Sequence, residues 1–260
     1  MNTSSIAAVV MDMDGVLWRT DDLLPGVLRW FTLLRERRLP FMLATNNSMK
    51  TPADYVAKFA RLGIDGVQAN QILTSGTTTI DYLRQRYPAG TAVHVIGGDG
   101  LRALAQESGF VLSDEAKIVI AGLDTQLTYA KLTRATLLIR AGAEFIGTND
   151  DRTIPIPEGL APGAGSVMAA LIAATDREPR VMGKPNAPMF ENALARLGTT
   201  AEQTLMIGDR IETDILGAQQ IGMPTALVLT GVSTRAQAEA HGLAAGTIFE
   251  TLDDLAAAFG

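Results

Sequence analysis

Short apolar runs that stop abruptly at polar residues recur along this chain, and each predicts a buried strand with chemistry at its end. The first, Ile6 to Met11, lacks helical periodicity and contains Val9 and Val10, which fits a strand covered on both faces. It runs into Asp12-Met13-Asp14-Gly15-Val16. Side chains two apart on a strand share a face, so Asp12 and Asp14 can converge on one ligand while Met13 turns away. Gly15 lets the backbone turn sharply beside that ligand.

Helical and strand patterns then alternate. Pro25 to Arg38 carries Val27, Leu28, Phe31 and Leu34 at helical spacing and a basic last turn, with Pro40 as the stop. Phe41 to Ala44 is a second apolar strand, leading into Thr45-Asn46-Asn47-Ser48. Thr51-Pro52 opens a helix that Gly63 ends. Gln71 to Thr74 suits a third strand, and a helix from Thr77 to Tyr87 stops at Pro88. From about Thr91 the order is strand Val93 to Ile96, helix Leu101 to Ser108, strands Phe110 to Leu112 and Ile118 to Ala121, helix Thr128 to Ala141 and strand Glu144 to Gly147. That is a self-contained β-α-β-β-α-β unit. A Pro/Gly-rich connection, Pro155 to Gly165, leads to helix Ser166 to Ala174 and strand Arg180 to Met182. Alternation then resumes with helix Ala187 to Leu197, strand Thr204 to Ile207, helix Thr213 to Ile221 and strand Thr225 to Leu229. This order predicts an α/β protein whose parallel sheet has helices on both faces. Residues 1–80 and 180–260 form a discontinuous core, and residues 81–179 form an inserted α/β domain.

Composition narrows the function classes. With 260 residues, 47% of them hydrophobic, the chain can bury a large core. A net charge of −6 without a Lys/Arg run argues against nucleic acid as a partner. An anionic small molecule would need local cations, from Lys/Arg or a metal. No cysteine is present, which removes disulfides, thiolate catalysis and Cys-rich zinc sites. No stretch suits a signal peptide or a bilayer span, so the expected location is the cytoplasm. Of the two histidines, His94 reads as one polar position on a strand and His241 as a helix end.

Four polar clusters follow predicted strands: Asp12/Asp14, Thr45/Asn46, Gly183-Lys184, and Asp209 with Asp214. Ligands of open α/β sheets bind outside the carboxyl ends of the strands, so these remote clusters can meet. Any one alone is ordinary turn or cap chemistry. Together they suit phosphoryl transfer through an aspartyl phosphate. Two unit charges about 4 Å apart interact by ~1 kcal/mol in water and ~4 kcal/mol at an effective dielectric of about 20, so a buried carboxylate needs cations before a phosphate can approach. Asp12 and Asp209 supply hard oxygens suited to Mg²⁺, and Lys184 supplies a point charge. Thr45 and the backbone N–H groups after it can donate to the transferring group. Asp14, beside the nucleophile, is placed to move protons. Asp214 either supports the metal site or Lys184, or is simply an acidic residue in the first turn of a helix.

The set Asp12-Met13-Asp14-Gly15-Val16, Thr45-Asn46-Asn47-Ser48, Gly183-Lys184-Pro185 and Gly208-Asp209-Arg210-Ile211-Glu212-Thr213-Asp214 closely resembles the four motifs of the haloacid dehalogenase superfamily. The insert between the second and third motifs looks like the type-C2 cap of its NagD-like, 4-nitrophenylphosphatase branch. Ile72-Leu73-Thr74-Ser75, Gly122-Leu123-Asp124 with Thr128-Tyr129 and Lys131-Leu132, and Pro162-Gly163-Ala164-Gly165-Ser166 extend the likeness over the whole chain. The resemblance implies a Rossmann-like core and a Mg²⁺-dependent phosphatase acting on a small phosphorylated metabolite. It implies Asp12 as nucleophile and metal ligand, and Asp14 as acid/base and as a metal ligand through its carbonyl. Thr45, Asn46 and Lys184 would bind phosphate, Asp209 would ligate Mg²⁺, and Asp214 would support that site. Asp124, Tyr129, Asn149 and Asp151 are the cap positions expected to discriminate substrates. Two departures fall in the cap: Thr148-Asn149-Asp150-Asp151 stands where Thr-Asn-Pro-Asp is usual, and Thr125 where a basic residue often follows the counterpart of Asp124. A cap of this kind also offers a surface for a homodimer.

Three other readings stay open. Receiver domains of phosphorelay proteins combine similar residues without turnover, but they are about half this length and phosphorylate an Asp on a later strand. Gly97-Gly98-Asp99-Gly100 follows a strand as a dinucleotide loop would, yet lacks the full G-x-G-x-x-G spacing and fits a plain turn better. A phosphomutase on the same superfamily core is the third. Gly163 to Ser166 reads as a helix entry.

Overall fold

A strand with no polar residue on either face belongs in the middle of a covered sheet, and Ala8–Met11 lies there with all four residues buried. In the computed structural model, which describes residues 3–156 and 158–259, it pairs in parallel with Thr204–Gly208 on one side and Phe41–Thr45 on the other. The six-stranded sheet runs Ile248–Phe249, Thr225–Val228, Thr204–Gly208, Ala8–Met11, Phe41–Thr45, Ile72–Thr74. Strands early in the chain lie to one side of Ala8–Met11 and late ones to the other. The strand order therefore reverses at this strand, and a crevice opens at such a point beyond the carboxyl ends.

The period of two along the strands sorts the core. Val9 and Met11 pack with Leu43, Leu205 and Ile207 under helices Val27–Glu36, Pro52–Arg61 and Leu252–Phe259, through Trp30, Phe31, Phe59 and Leu255. Val10, Met42 and Met206 face the other way, onto Met189, Phe190 and Ala193 of helix Ala187–Leu197. Both layers are apolar throughout, so the strands hold their register by side-chain burial as well as by the ladder.

The chain divides into two compact units. One comprises the chain up to Thr45, Pro52–Leu73 and everything from Lys184 on; the other comprises Asn46–Thr51 and Thr74–Gly183. The second unit has its own five-stranded parallel sheet, in the order Arg180–Val181, Glu144–Gly147, Ile118–Ala121, Ala92–Ile96, Val111–Leu112. Helices Ser75–Arg84 and Asp99–Glu107 cover one face through Ile80, Leu83, Leu101 and Ala105. Helices Tyr129–Arg140 and Ala164–Thr175 cover the other through Ala135, Ile139, Met168 and Leu171.

The expected α/β class and parallel core are present, with local departures. Pro155 to Gly165 was expected as a plain connection, but Thr153–Ile156 and Gly159–Pro162 form an antiparallel hairpin. Pro155 fits because a two-stranded ribbon has outward-facing positions that need no N–H; residue 157 lies outside the described residues. A second small hairpin, Trp18–Arg19 with Asp22–Leu23, follows the first strand. The helix expected from Thr213 begins earlier, as a π-helical turn Ile211–Leu216, and continues as Gly217–Gln220. Past Leu229, where the sequence marked only a helix end at His241, come helix Arg235–Ala240 with His241 as its C-cap, strand Ile248–Phe249 and helix Leu252–Phe259. The Gly97–Gly100 turn holds the chain's own backbone: a Cβ on Gly100 would lie 2.4 Å from the carbonyl oxygen of Met49. No helix among the described residues is long and apolar enough to cross a membrane.

Candidate active site

The strand ladder carries Asp12 into place, because its N–H donates to the Ile207 carbonyl at 2.9 Å. Its Oδ1 accepts from Lys184 Nζ at 2.6 Å, and the same ammonium reaches Asp214 Oδ1 at 2.7 Å and the Ala44 carbonyl at 3.0 Å. Lys184 is 2% exposed. An ammonium at that depth is tolerated only when its donors are matched by acceptors, and here two of them are charged. Burial alone would favour the neutral amine, but Asp12 and Asp214 outweigh it and hold Lys184 protonated.

Asp209 follows strand Thr204–Gly208, and a loop that the sequence patterns did not single out clamps it. Its Oδ2 accepts the Val232 N–H at 2.8 Å, and its carbonyl accepts the Ser233 N–H at 3.0 Å. Ser233 Oγ accepts the Ile211 N–H, and Thr230 Oγ1 donates to the Gly15 carbonyl at 2.6 Å. Two glycines make room for the carboxylate: a Cβ on Gly231 would lie 1.9 Å, and one on Gly15 2.5 Å, from Asp209 Oδ2. The signal for this loop was in the sequence, since Thr225 to Leu229 is a fifth apolar run that ends in polar residues, Thr230-Gly231.

One oxygen remains unmatched. Asp209 Oδ1 is buried without a hydrogen-bond partner. Such an acceptor is costly unless a donor or cation completes it. Carboxylate oxygens of Asp12, Asp209 and Asp214 lie within 4.8 Å of one another, all on buried residues. Three carboxylates against one ammonium leave a deficit that a divalent cation fits. Asp214 spends Oδ1 on Lys184 and Oδ2 on the Arg210 N–H, so it is better suited to hold Lys184, and Asp12 and Asp209 to bind the ion. Burial raises the pKa of Asp12 well above the ordinary carboxylate range, with Asp214, Asp209 and Asp14 adding to it against Lys184. Burial, then Asp214, push Asp209 up to about 7.

Asp14 is exposed, and its Oδ1 accepts from the Trp18 indole N–H at 2.9 Å. Thr45 is buried at the end of its strand, and the Tyr55 hydroxyl is pushed up by burial and by Asp14. The first unit thus brings together Asp12, Lys184, Asp209 and Asp214, with Asp14 and Thr45 at the same strand ends.

The remaining expected residues belong to the second unit. Asn149 Nδ2 donates to the Asn46 carbonyl at 2.7 Å, and Asn46 Nδ2 donates to Asp151 Oδ1 at 3.3 Å. Asn149 and Asp151 thereby fasten the Asn46–Thr51 segment to this unit. Asp124 is buried against Lys131 Nζ at 2.7 Å and accepts the Gln126 N–H at 2.8 Å. Tyr129, at the start of its helix, is 85% exposed and has surface to offer a ligand.

Comparison with known proteins agrees with this picture. A family model described as haloacid dehalogenase-like hydrolase matches residues 9–111, and one described as HAD-hydrolase-like matches 181–257. Dihydroxyacetone phosphatase of Corynebacterium glutamicum is 37% identical over 246 residues, 94% of this chain and 89% of the relative. Acid sugar phosphatase of Staphylococcus aureus is 37% identical over 229 residues, covering 87% of this chain and 88% of the relative. Among solved structures, 4-nitrophenylphosphatase from Thermotoga maritima superposes with a TM-score of 0.93 at 33% identity, over 99% of both chains. NagD from E. coli K-12 does so with a TM-score of 0.89 at 30% identity, over 96% of this chain and 98% of NagD.

Two measurements check the electrostatics. Between the ordinary carboxylate range and about pH 7 the folded chain keeps protons that the unfolded chain has released, so stability in chelator falls as pH rises across that window. Calorimetry in EDTA should show Tm dropping from about pH 5 to about pH 7, and saturating Mg²⁺ should flatten that slope. Gly231→Ala drives a methyl group into Asp209, so titration calorimetry should find divalent-cation affinity weakened by roughly tenfold or more while the circular dichroism spectrum is kept.

Proposed function

That this chain belongs to the haloacid dehalogenase-like hydrolases, and is a phosphomonoester hydrolase, is the premise from which we propose its reaction: Mg²⁺-dependent hydrolysis of a small phosphomonoester through an aspartyl phosphate on Asp12. The observation that carries the reading is the buried contact of Lys184 Nζ with Asp12 Oδ1 at 2.6 Å. That contact fixes Oδ1, which keeps a second lone pair for a metal, and leaves Oδ2 to attack phosphorus. Asp12 keeps 9% of its surface.

In the first half-reaction Asp12 Oδ2 bonds to phosphorus as the ester P–O bond breaks, and the Asp14 carboxyl gives its proton to the departing oxygen. In the second, Asp14 takes a proton from water as the water oxygen bonds to phosphorus. The acyl-phosphate P–O bond then breaks, which frees phosphate and restores Asp12. Lys184 offsets the negative charge of the incoming phosphoryl group, and Thr45 donates to its oxygens. Asp12, the Asp14 carbonyl and Asp209 would hold Mg²⁺, which when bound neutralises the phosphate and polarises its oxygens. Asp214 keeps Lys184 in place. The unmatched Oδ1 of Asp209 supports that ligand set.

The second unit, Asn46–Thr51 with Thr74–Gly183 and so wider than the 81–179 expected from the sequence, acts in this reading as the cap that selects the substrate. The relatives' names, dihydroxyacetone phosphatase and acid sugar phosphatase, favour a small sugar-like phosphate. Of the four expected cap positions Tyr129 is the exposed one, whereas Asp124, Asn149 and Asp151 are engaged within the unit.

Asp12→Asn keeps nearly the same shape and removes the nucleophile, so it should lower hydrolysis by roughly 10³-fold or more while the chain still folds. Wild-type turnover in that variant would rule out the covalent route. EDTA should stop phosphate release and Mg²⁺ should restore it; full activity in metal-free buffer would rule out the ligand set. A panel of phosphomonoesters ranked by kcat/KM identifies the substrate class, because that ratio measures discrimination.

A further inference from the structure

Asp14 poses a problem that Asp12 does not. It is exposed, it follows the end of a strand, and the next residue, Gly15, has φ +85°. A carboxylate so placed samples several rotamers, and a proton donor that wanders loses most of the benefit of proximity. Among the described residues, one side chain holds it. The Trp18 indole N–H donates to Asp14 Oδ1 at 2.9 Å.

Trp18 is itself fixed from every side. It is fully buried, it lies parallel to Tyr55 with centroids 6.5 Å apart, and it meets Phe59 edge-on at 4.9 Å. Lys58 Nζ sits 4.2 Å from the ring centroid and is held there by the Thr20 carbonyl at 2.6 Å. The turn between Asp14 and Trp18 is closed by backbone bonds, Gly15 N–H to the Trp18 carbonyl and Leu17 N–H to the Met13 carbonyl. Indole can donate but not accept, so it fixes one carboxylate oxygen as an acceptor. Only the other oxygen is then free to carry a proton.

We propose that Trp18 is a positioning residue for Asp14: its buried indole N–H locks Oδ1 and so assigns Oδ2 as the oxygen that exchanges protons with the leaving group and with water. This rests on the acid/base role given to Asp14 above. It assigns the aromatic cluster of Trp18, Tyr55, Lys58 and Phe59 a part in turnover beyond packing.

The test separates proton donation from folding by the leaving group. Single-turnover phosphorylation of Asp12 is measured with 4-nitrophenyl phosphate, whose leaving group departs without a proton, and with glycerol phosphate, whose alkoxide needs one. Trp18→Phe should slow phosphorylation by glycerol phosphate about tenfold or more, with much less effect on 4-nitrophenyl phosphate and little change in KM. Equal slowing of both, or none, overturns the proposal. Should Trp18→Phe fail to fold, replacing Trp18 with benzothienylalanine keeps the bicyclic shape, removes the N–H and is judged by the same comparison. Asp14→Asn is run alongside. If it does not discriminate between the two substrates, the acid/base role of Asp14 itself is wrong. If it discriminates and the Trp18 variants behave as wild type, only the positioning role falls.

Discussion

The ammonium of Lys184, buried between Asp12 and Asp214, is the constraint to which the rest of the site answers. An unpaired charge at that depth would be driven out or neutralised, so the fold must deliver acceptors from separate strands to one point. Asp12 arrives from the first strand, the Ala44 carbonyl from the second, and Asp214 from the turn after Thr204–Gly208. These segments are far apart in sequence, and parallel pairing about the central strand brings their ends together. The same arrangement that makes the ion group stable leaves it short of positive charge, which is the state a metal and a phosphate-binding site require.

Close packing sets the second carboxylate. Asp209 has one oxygen held by a backbone N–H and one left bare, and glycines at 15 and 231 keep the space it needs. The loop after strand Thr225–Val228 ties this corner to the first turn through Thr230 and Gly15. Asp209 cannot move without disturbing the backbone beside Asp14, so the two carboxylates share one edge.

Much of this was legible because burial writes itself into the chain. Apolar runs without helical period gave five of the six core strands, and polar residues at their ends gave Asp12, Thr45 and Asp209, while Lys184 follows Arg180–Val181 of the second sheet. The unread parts carry weaker or ambiguous signals. Pro155 spoke against a strand, yet a two-stranded ribbon accepts it. Ile248–Phe249 is too short to show a period. Trp18, inside an apolar stretch, looks like core and is core; nothing local tells that its N–H meets Asp14. The passage from one unit to the other falls between Thr45 and Asn46, inside a single motif, because units are defined by distant packing partners such as Asn149.

Asp12 and Asp14 show how far spacing alone can go. The strand ends at Met11, so the two-residue period that would have made the carboxylates equivalent stops before either of them. Asp12 is drawn inward to an ammonium and loses nearly all its surface, while Asp14 stays exposed against an indole. A carboxylate that must attack phosphorus is best stripped of water and held by charge. One that must trade protons twice has to remain in reach of water, with its direction fixed by something that does not compete for the proton. An indole N–H meets that need better than a lysine would, since it orients the carboxylate without adding a charge that would hold it ionised. In the proposed reaction, the division of labour between two like residues two positions apart follows from their partners, Lys184 and Trp18.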